Sequence, residues 1–217
     1  MKYPFIALLL LLAAPSQIQA QNSPWEAWDS VLIGGLHTAG SVDYLSDNEQ
    51  KLILFMNMAR YDGSLFAETF VKSYVEAGMA ENSSFLRSLN RDLKNTSKLP
   101  LLYPEKDLTA VAQGHAVQSG QSGHVGHRNI NKRFEHLKGN PYMAWGENCA
   151  YGYQDAVDIV ITLLIDEGIK GEGHRKNILK PGFNSVGVAI RPHKNYEVNC
   201  VMDFGSKSPS DMNKLPY

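Results

Sequence analysis

Cysteine is scarce in this chain, with only Cys149 and Cys200 among 217 residues. No CxxC pair can form from them, so a thiolate-rich metal site is closed. The sequence also has no HExxH pair, no GxSxG elbow and no GxxxxGK[ST] loop. Zincin peptidases, α/β-hydrolases and phosphate-loop enzymes therefore lack their signatures here. Charge of one sign is missing too. Lys and Arg total 21 against 22 Asp and Glu, a formal net charge of −1. Nothing in that balance points to nucleic acid. Beyond the first twenty positions no apolar run is long enough for a membrane span. The longest, from Ile159 to Ile165, is interrupted by Thr162 and suits a buried helix.

The first twenty residues, MKYPFIALLLLLAAPSQIQA, do carry a long apolar run. Lys2 gives a positive start, the run has no charge, and a small residue, Ala20, closes the polar end. This reads as a secretory signal peptide over residues 1–20, with cleavage after Ala20. No cysteine follows that point to carry a lipid. The expected destination is secreted or extracellular, or periplasmic in a Gram-negative source. Such a compartment is oxidising, so a Cys149–Cys200 disulfide is plausible, worth roughly 4 kcal/mol by loop closure. Two buried free thiols are the alternative.

Residues 21–45 contain Trp25, Trp28 and paired glycines but no sustained period, and read as an N-terminal extension. Ser46-Asp-Asn-Glu49 has the form of a capping box. Apolar spacing then predicts helices over EQKLILFMNMARY, SLFAETFVKSYVEAG, residues 82–94, residues 105–119 and DAVDIVITLLIDEG. Short helices are expected near residues 132–137 and at RKNIL. Late in the chain, SVGVAIR, the turn PHKN and YEVNCVMDF predict a β-hairpin. The tail over residues 206–217 is polar and reads as flexible. Helices early and strands late make the class α+β, with helices on a small antiparallel sheet.

Four of the seven histidines fall between positions 115 and 136. His115 lies mid-helix with apolar neighbours and reads as structural. His124 and His127 sit on a loop rich in glycine, which lets backbone approach another group closely. His174 opens a helix in GEGHRKNIL, and Glu147 lies in WGEN ahead of an expected strand. Asp166 and Glu167 end a helix, where acidic groups meet the negative end of its dipole. Each needs solvent or a positive partner, and successive residues on a helix point about 100° apart.

These motifs in this order resemble the CAP superfamily: NMAR at residues 57–60, Leu108 through His115-Ala116, GHVG, GEN, GHRKNIL and VGVAI. That superfamily holds cysteine-rich secretory, antigen 5 and pathogenesis-related proteins, and GHRKNIL is closest in style to its bacterial SCP-like members. The resemblance covers residues 46–205. It implies an α-β-α sandwich with a central cleft holding two histidines and two acidic residues. Carried over by motif, these are His124, Glu147, Glu167 and His174, with His127 and Asp166 as the alternatives for the first and third. A tryptophan usual in the family three residues before the second acid is replaced here by Leu164. The resemblance further implies that His124 and His174 could hold Zn²⁺ or another divalent cation, with the carboxylates ligating or orienting the rings. Arg175 and Asn177 read as structural partners at the loop–helix corner. The implied role is an extracellular binding or effector module whose ligand is a lipid or sterol, an envelope component or a protein. The alternative is a metal-dependent, peptidase-like hydrolase with Glu147 as general base. The family arrangement also places Cys149 and Cys200 near each other.

Overall fold

The computed structural model describes residues 23–137, 142–208 and 210. The expected signal peptide and most of the expected tail lie outside them. Ser46 starts helix α2 (Asp47–Tyr61) with the capping box that its sequence suggested, and both reciprocal bonds are present. Almost every residue of α2 from Leu52 to Arg60 is buried, so it is the central helix of the fold. Two of its polar residues hold loops in place. Asn57 donates to the carbonyls of Leu36 and Leu102. The fully buried Arg60 guanidinium donates to the carbonyls of Pro100, Ile178, Lys180 and Phe183. A buried cation costs little only when its donors are met, and here carbonyls meet them.

Residues 23–45, within the expected N-terminal extension, pack on the core. They form a 3₁₀ turn (Pro24–Ala27) and helix α1 (Ser30–Leu36). Trp28, Leu36, Ala39 and Leu45 from this segment join the same core as α2. Beyond α2 the chain forms α3 (Gly63–Phe66), a π turn (Ala67–Val71) and α4 (Lys72–Glu76), which together make one continuous rod. Helices α5 (Ser84–Lys94), α6 (Lys106–Ser122) and α7 (Ile130–Arg133) follow, then α8 (Ala156–Ile165) and α9 (Gly173–Ile178).

The sheet has four strands: β1 (Tyr103–Pro104), β2 (Tyr142–Tyr151), β3 (Ser185–His193) and β4 (Glu197–Lys207). Their order is β1-β3-β4-β2. β3 and β4 form the expected hairpin and β2 lies antiparallel to β4, while the two-residue β1 runs parallel to β3, so the sheet is mixed. Large side chains of β3 and β4 (Val186, Val188, Met202, Phe204) face the core shared with α2, α5 and α8. The opposite face carries small residues, Ala189 and Val201, against Ala112 and Ala116 of α6. Both faces are covered, giving an α-β-α sandwich. β3 and β4 are therefore buried over most of their length, although Asn199 and Asp203 interrupt the apolar residues of β4.

The expected disulfide is absent, and strand geometry gives the reason. Both cysteines are free and buried. Across β2 and β4, Cys149 pairs with Val201 and Cys200 with Ala150. An offset of one residue puts two side chains on opposite faces of a sheet. Cys149 packs on the α6 side and Cys200 in the main core. Being close in register is therefore not enough for them to bond.

Candidate functional site

One wall of the cleft is built around Glu147, in the middle of β2. Its side chain is fully buried on the sheet face that looks toward α6. Arg133, from the end of α7, reaches both carboxylate oxygens: Nη1 pairs with Oε2, and Nη2 donates to Oε1 at 2.9 Å. His127 Nδ1 lies 2.8 Å from the same Oε1. Burial would raise the pKa of this carboxyl, but the bonds from His127 and Arg133 and the guanidinium charge prevail and hold it at about 2. Glu147 is therefore ionised across the ordinary pH range.

The position of His127 follows from the backbone before it. Gly123 ends α6 in the left-handed conformation, and Gly126 turns the chain again with φ 95°. The peptide of Gly126 is pinned on both sides. Its amide donates to the hydroxyl of Tyr151 at 2.8 Å, and its carbonyl lies 2.9 Å from His115 Nε2. His115 is thus structural, and it aims the loop that carries His127. His124, the first choice by motif, points elsewhere. Its carbonyl lies 3.0 Å from His193 Nε2, and its ring lines a separate cavity of about 300 Å³ with Ser119, Ser122 and Arg128.

The second wall is the turn between α8 and α9. Asp166 caps α8 in the left-handed region, with φ 58°. Asp tolerates that conformation better than most residues. The twist aims its carboxylate at the start of α9, where Oδ2 accepts from the amides of His174 and Arg175, and Oδ1 lies 2.7 Å from His174 Nδ1. Asp166 therefore caps α9 from outside and orients its histidine. Glu167 is exposed and turns the other way, accepting from Ser83 Oγ at 2.5 Å. The structure brings together His127, Glu147, Asp166 and His174, and it does not bring His124 or Glu167 to them. The rings of His127 and His174 lie 6.4 Å apart, centroid to centroid.

The two walls are tied together. Asn148 donates to the His174 carbonyl at 3.0 Å, and Asn177 donates to Asn148 Oδ1 at 2.9 Å. Arg175 turns inward to the carbonyls of Leu164, Ile165 and Phe85 and to Asp92. Arg175 and Asn177 both have the structural parts that their motif suggested.

Beneath His127 lies a buried group of His115, Glu147 and Cys149 whose ligand atoms fall within 4.8 Å of one another. It does not fit a metal ion. Arg133 already satisfies Glu147 there. His115 already uses Nε2 on the Gly126 carbonyl. Cys149 is buried beside Glu147 and Asp203, which push its thiol well up in the metal-free protein. The His127–His174 pair fits better. Each ring has Nδ1 engaged by a carboxylate, which leaves Nε2 as the free donor. Histidines that bind metals are commonly held by a carboxylate in this way.

Sequence reasoning missed Arg133 and Asp203. Asp203 lies on β4 directly across from Glu147 and is completely buried. No well-aligned hydrogen bond reaches either of its oxygens among the described residues. Burial, then the adjacent Glu147 charge, raises its pKa well above the usual range, so it is a neutral acid. The only sign of it in the sequence was an acidic residue inside a strand-like run.

The cysteine-rich secretory protein family model, CAP, matches residues 56–204. With the sandwich and cleft described, the chain belongs to the CAP family. Among solved structures, it is similar to an SCP-domain extracellular protein from Bacillus anthracis, at 26% identity over 50% of this chain and 35% of that one, TM-score 0.41. A cysteine-rich secretory protein from Staphylococcus aureus gives 17% over 57% and 38%, TM-score 0.41. An outer surface protein from Borrelia burgdorferi gives 15% over 65% and 96%, TM-score 0.41. The chain thus spans just over a third of the length of the first two. Comparison with curated proteins gives no match. Among the described residues no helix is long and apolar enough to cross a membrane.

Proposed function

We propose that this chain is an exported CAP binding module whose cleft holds a divalent cation through His127 and His174. The observation that carries this reading is the matched pairing of the two rings, each tied at Nδ1 to a buried carboxylate, Glu147 or Asp166. That pairing fixes each tautomer and raises ring basicity at the free nitrogen. A bound ion such as Zn²⁺ would supply a Lewis-acidic point for an oxygen-bearing extracellular ligand. The leader-like residues 1–20 support export. By motif alone, His124 and Glu167 would take the roles that side-chain geometry favours for His127 and Asp166. The reading remains one of binding rather than hydrolysis, because Glu147 is held ionised by two bonds from Arg133 and one from His127. A general base needs a free lone pair and a pKa nearer the working pH. Thermal unfolding tests the proposal. Zinc at about 100 times its dissociation constant should stabilise the wild type by about 2.7 kcal/mol. It should leave the His127→Ala/His174→Ala protein unmoved. An equal zinc response in both proteins would remove the reading.

A further inference from the structure

A second cavity, of about 440 Å³, lies on the far side of the Asp166–Glu167 turn. Its walls come from α4, α8 and the segment leading into α5. Tyr74 and Tyr153 supply aromatic surface, Met79 and Ile165 aliphatic surface, and Glu81 and Glu167 carboxylates. Among the described residues that line it there is no lysine or arginine.

Local backbone features give this cavity a definite shape. The π turn at Ala67–Val71 inserts an extra residue into the rod just before Tyr74 and so rotates the turn that follows. Tyr74 is thereby buried against α8, with its hydroxyl 3.2 Å from Thr162 Oγ1. The rod then stops at Gly78, in the left-handed region. The Gly78 amide donates to the Val75 carbonyl and the Met79 amide to that of Tyr74. This stop folds Met79, 54% exposed, over one side of the cavity. Ser83 fixes the Glu167 carboxylate at 2.5 Å. Burial, then Asp158 among nearby groups, raises the Tyr74 pKa, so its ring stays a neutral phenol beside negative charge.

Two carboxylates with no lysine or arginine among the described lining residues repel an anion. A neutral hydrocarbon would leave both of them unused. A hard metal ion needs a cage of oxygens, not aromatic and thioether walls. We propose that this cavity binds an organic cation, an ammonium group on a short apolar stem. The ammonium lies against Glu81 and Glu167, and the stem runs along Met79, Ile165 and the two tyrosines. Aromatic rings attract such cations through the negative charge of their faces.

Nuclear magnetic resonance titration of the metal-free full chain tests this, with pentylammonium as the probe and pentanol as its neutral match. Nα-acetyl-lysine amide, in a second arm, tells a free amine from a lysine side chain, and saturation by either supports the site. The expected result is saturable binding of pentylammonium at about 1 mM or tighter. Shift changes should be confined to residues 74–83 and 153–167. Pentanol, and the Glu81→Gln/Glu167→Gln protein, should each bind about tenfold more weakly. Both substitutions are at exposed positions, so folding is kept. The His127→Ala/His174→Ala protein should bind pentylammonium unchanged, which separates this site from the cleft. The proposal is overturned if neither ammonium probe saturates, if pentanol binds as well as the ammonium probe that does, or if the glutamine variant is unaffected. Loss of binding in the histidine variant would also overturn it.

Discussion

At the scale of single residues, Glu147 and Asp203 face each other across β2 and β4 with opposite fates. Glu147 has Arg133 and His127, and is ionised. Asp203 has no cation in bonding reach among the described residues, and burial, then the Glu147 charge beside it, raises its pKa well above the usual carboxylate range. Their contributions to stability therefore have opposite signs. Glu147, lowered to about 2, stabilises the fold above its unfolded value, and this is lost as pH falls toward 2. Asp203, raised, is protonated when folded and ionised when unfolded, so it costs stability as pH rises above about 4. Asp203→Asn removes that cost while keeping the shape. Relative to wild type, the variant should gain about 1.4 kcal/mol per pH unit from pH 4 upward, until the folded pKa of Asp203 is reached. Urea unfolding across pH 4 to 8 measures this, and parallel curves for the two proteins would contradict it. The same scale shows why the site was only partly legible. Of the proposed site, Glu147 and His174 follow from motif alone. His127 over His124, and Asp166 over Glu167, depended on backbone dihedrals at Gly123, Gly126 and Asp166 that no residue pattern encodes. Arg133 was hidden because its pairing with Glu147, 14 residues on, follows no helical or strand period and is made only by the tertiary fold.

At the scale of elements, helices and hairpin were legible because apolar spacing and caps are local signals. The pairing of strands was not, because parity across a sheet depends on register. Cys149 and Cys200 illustrate this, one residue out of step and so on opposite faces. Thiol titration should find two free thiols in unfolded exported protein and almost no reaction in the native protein, where both are buried. Zero thiols after unfolding would contradict the register. Register also explains Gly187, in the middle of β3. A methyl group there would fall 2.1 Å from the backbone of Leu108 and Thr109. Helix α6 can approach the sheet only because this side chain is absent. Gly187→Ala should therefore destabilise the protein by roughly 3 kcal/mol, through forced separation of α6 from the sheet. A urea midpoint equal to that of wild type would show that the contact is not so tight.

At the scale of the whole molecule, the helices and sheet bring distant segments to one cleft. Helix α2 supplies no residue to it, yet Arg60 holds the carbonyls at the end of α9, and α9 carries His174. β2 carries Glu147, and the loop after α6 carries His127. The motifs NMAR, GEN and GHRKNIL are thus linked by one network of hydrogen bonds, which is why they were readable together as a family pattern. The segment of residues 23–45 was less readable, because its core residues gain meaning only against α2 and the π turn. The central claim is that the cleft binds its cation through His127 and His174. Calorimetric zinc titration of wild type, His124→Ala and His127→Ala tests it most directly. The account predicts one ion per chain for wild type and His124→Ala, and loss of that binding for His127→Ala. Binding that survives in His127→Ala and vanishes in His124→Ala would contradict it.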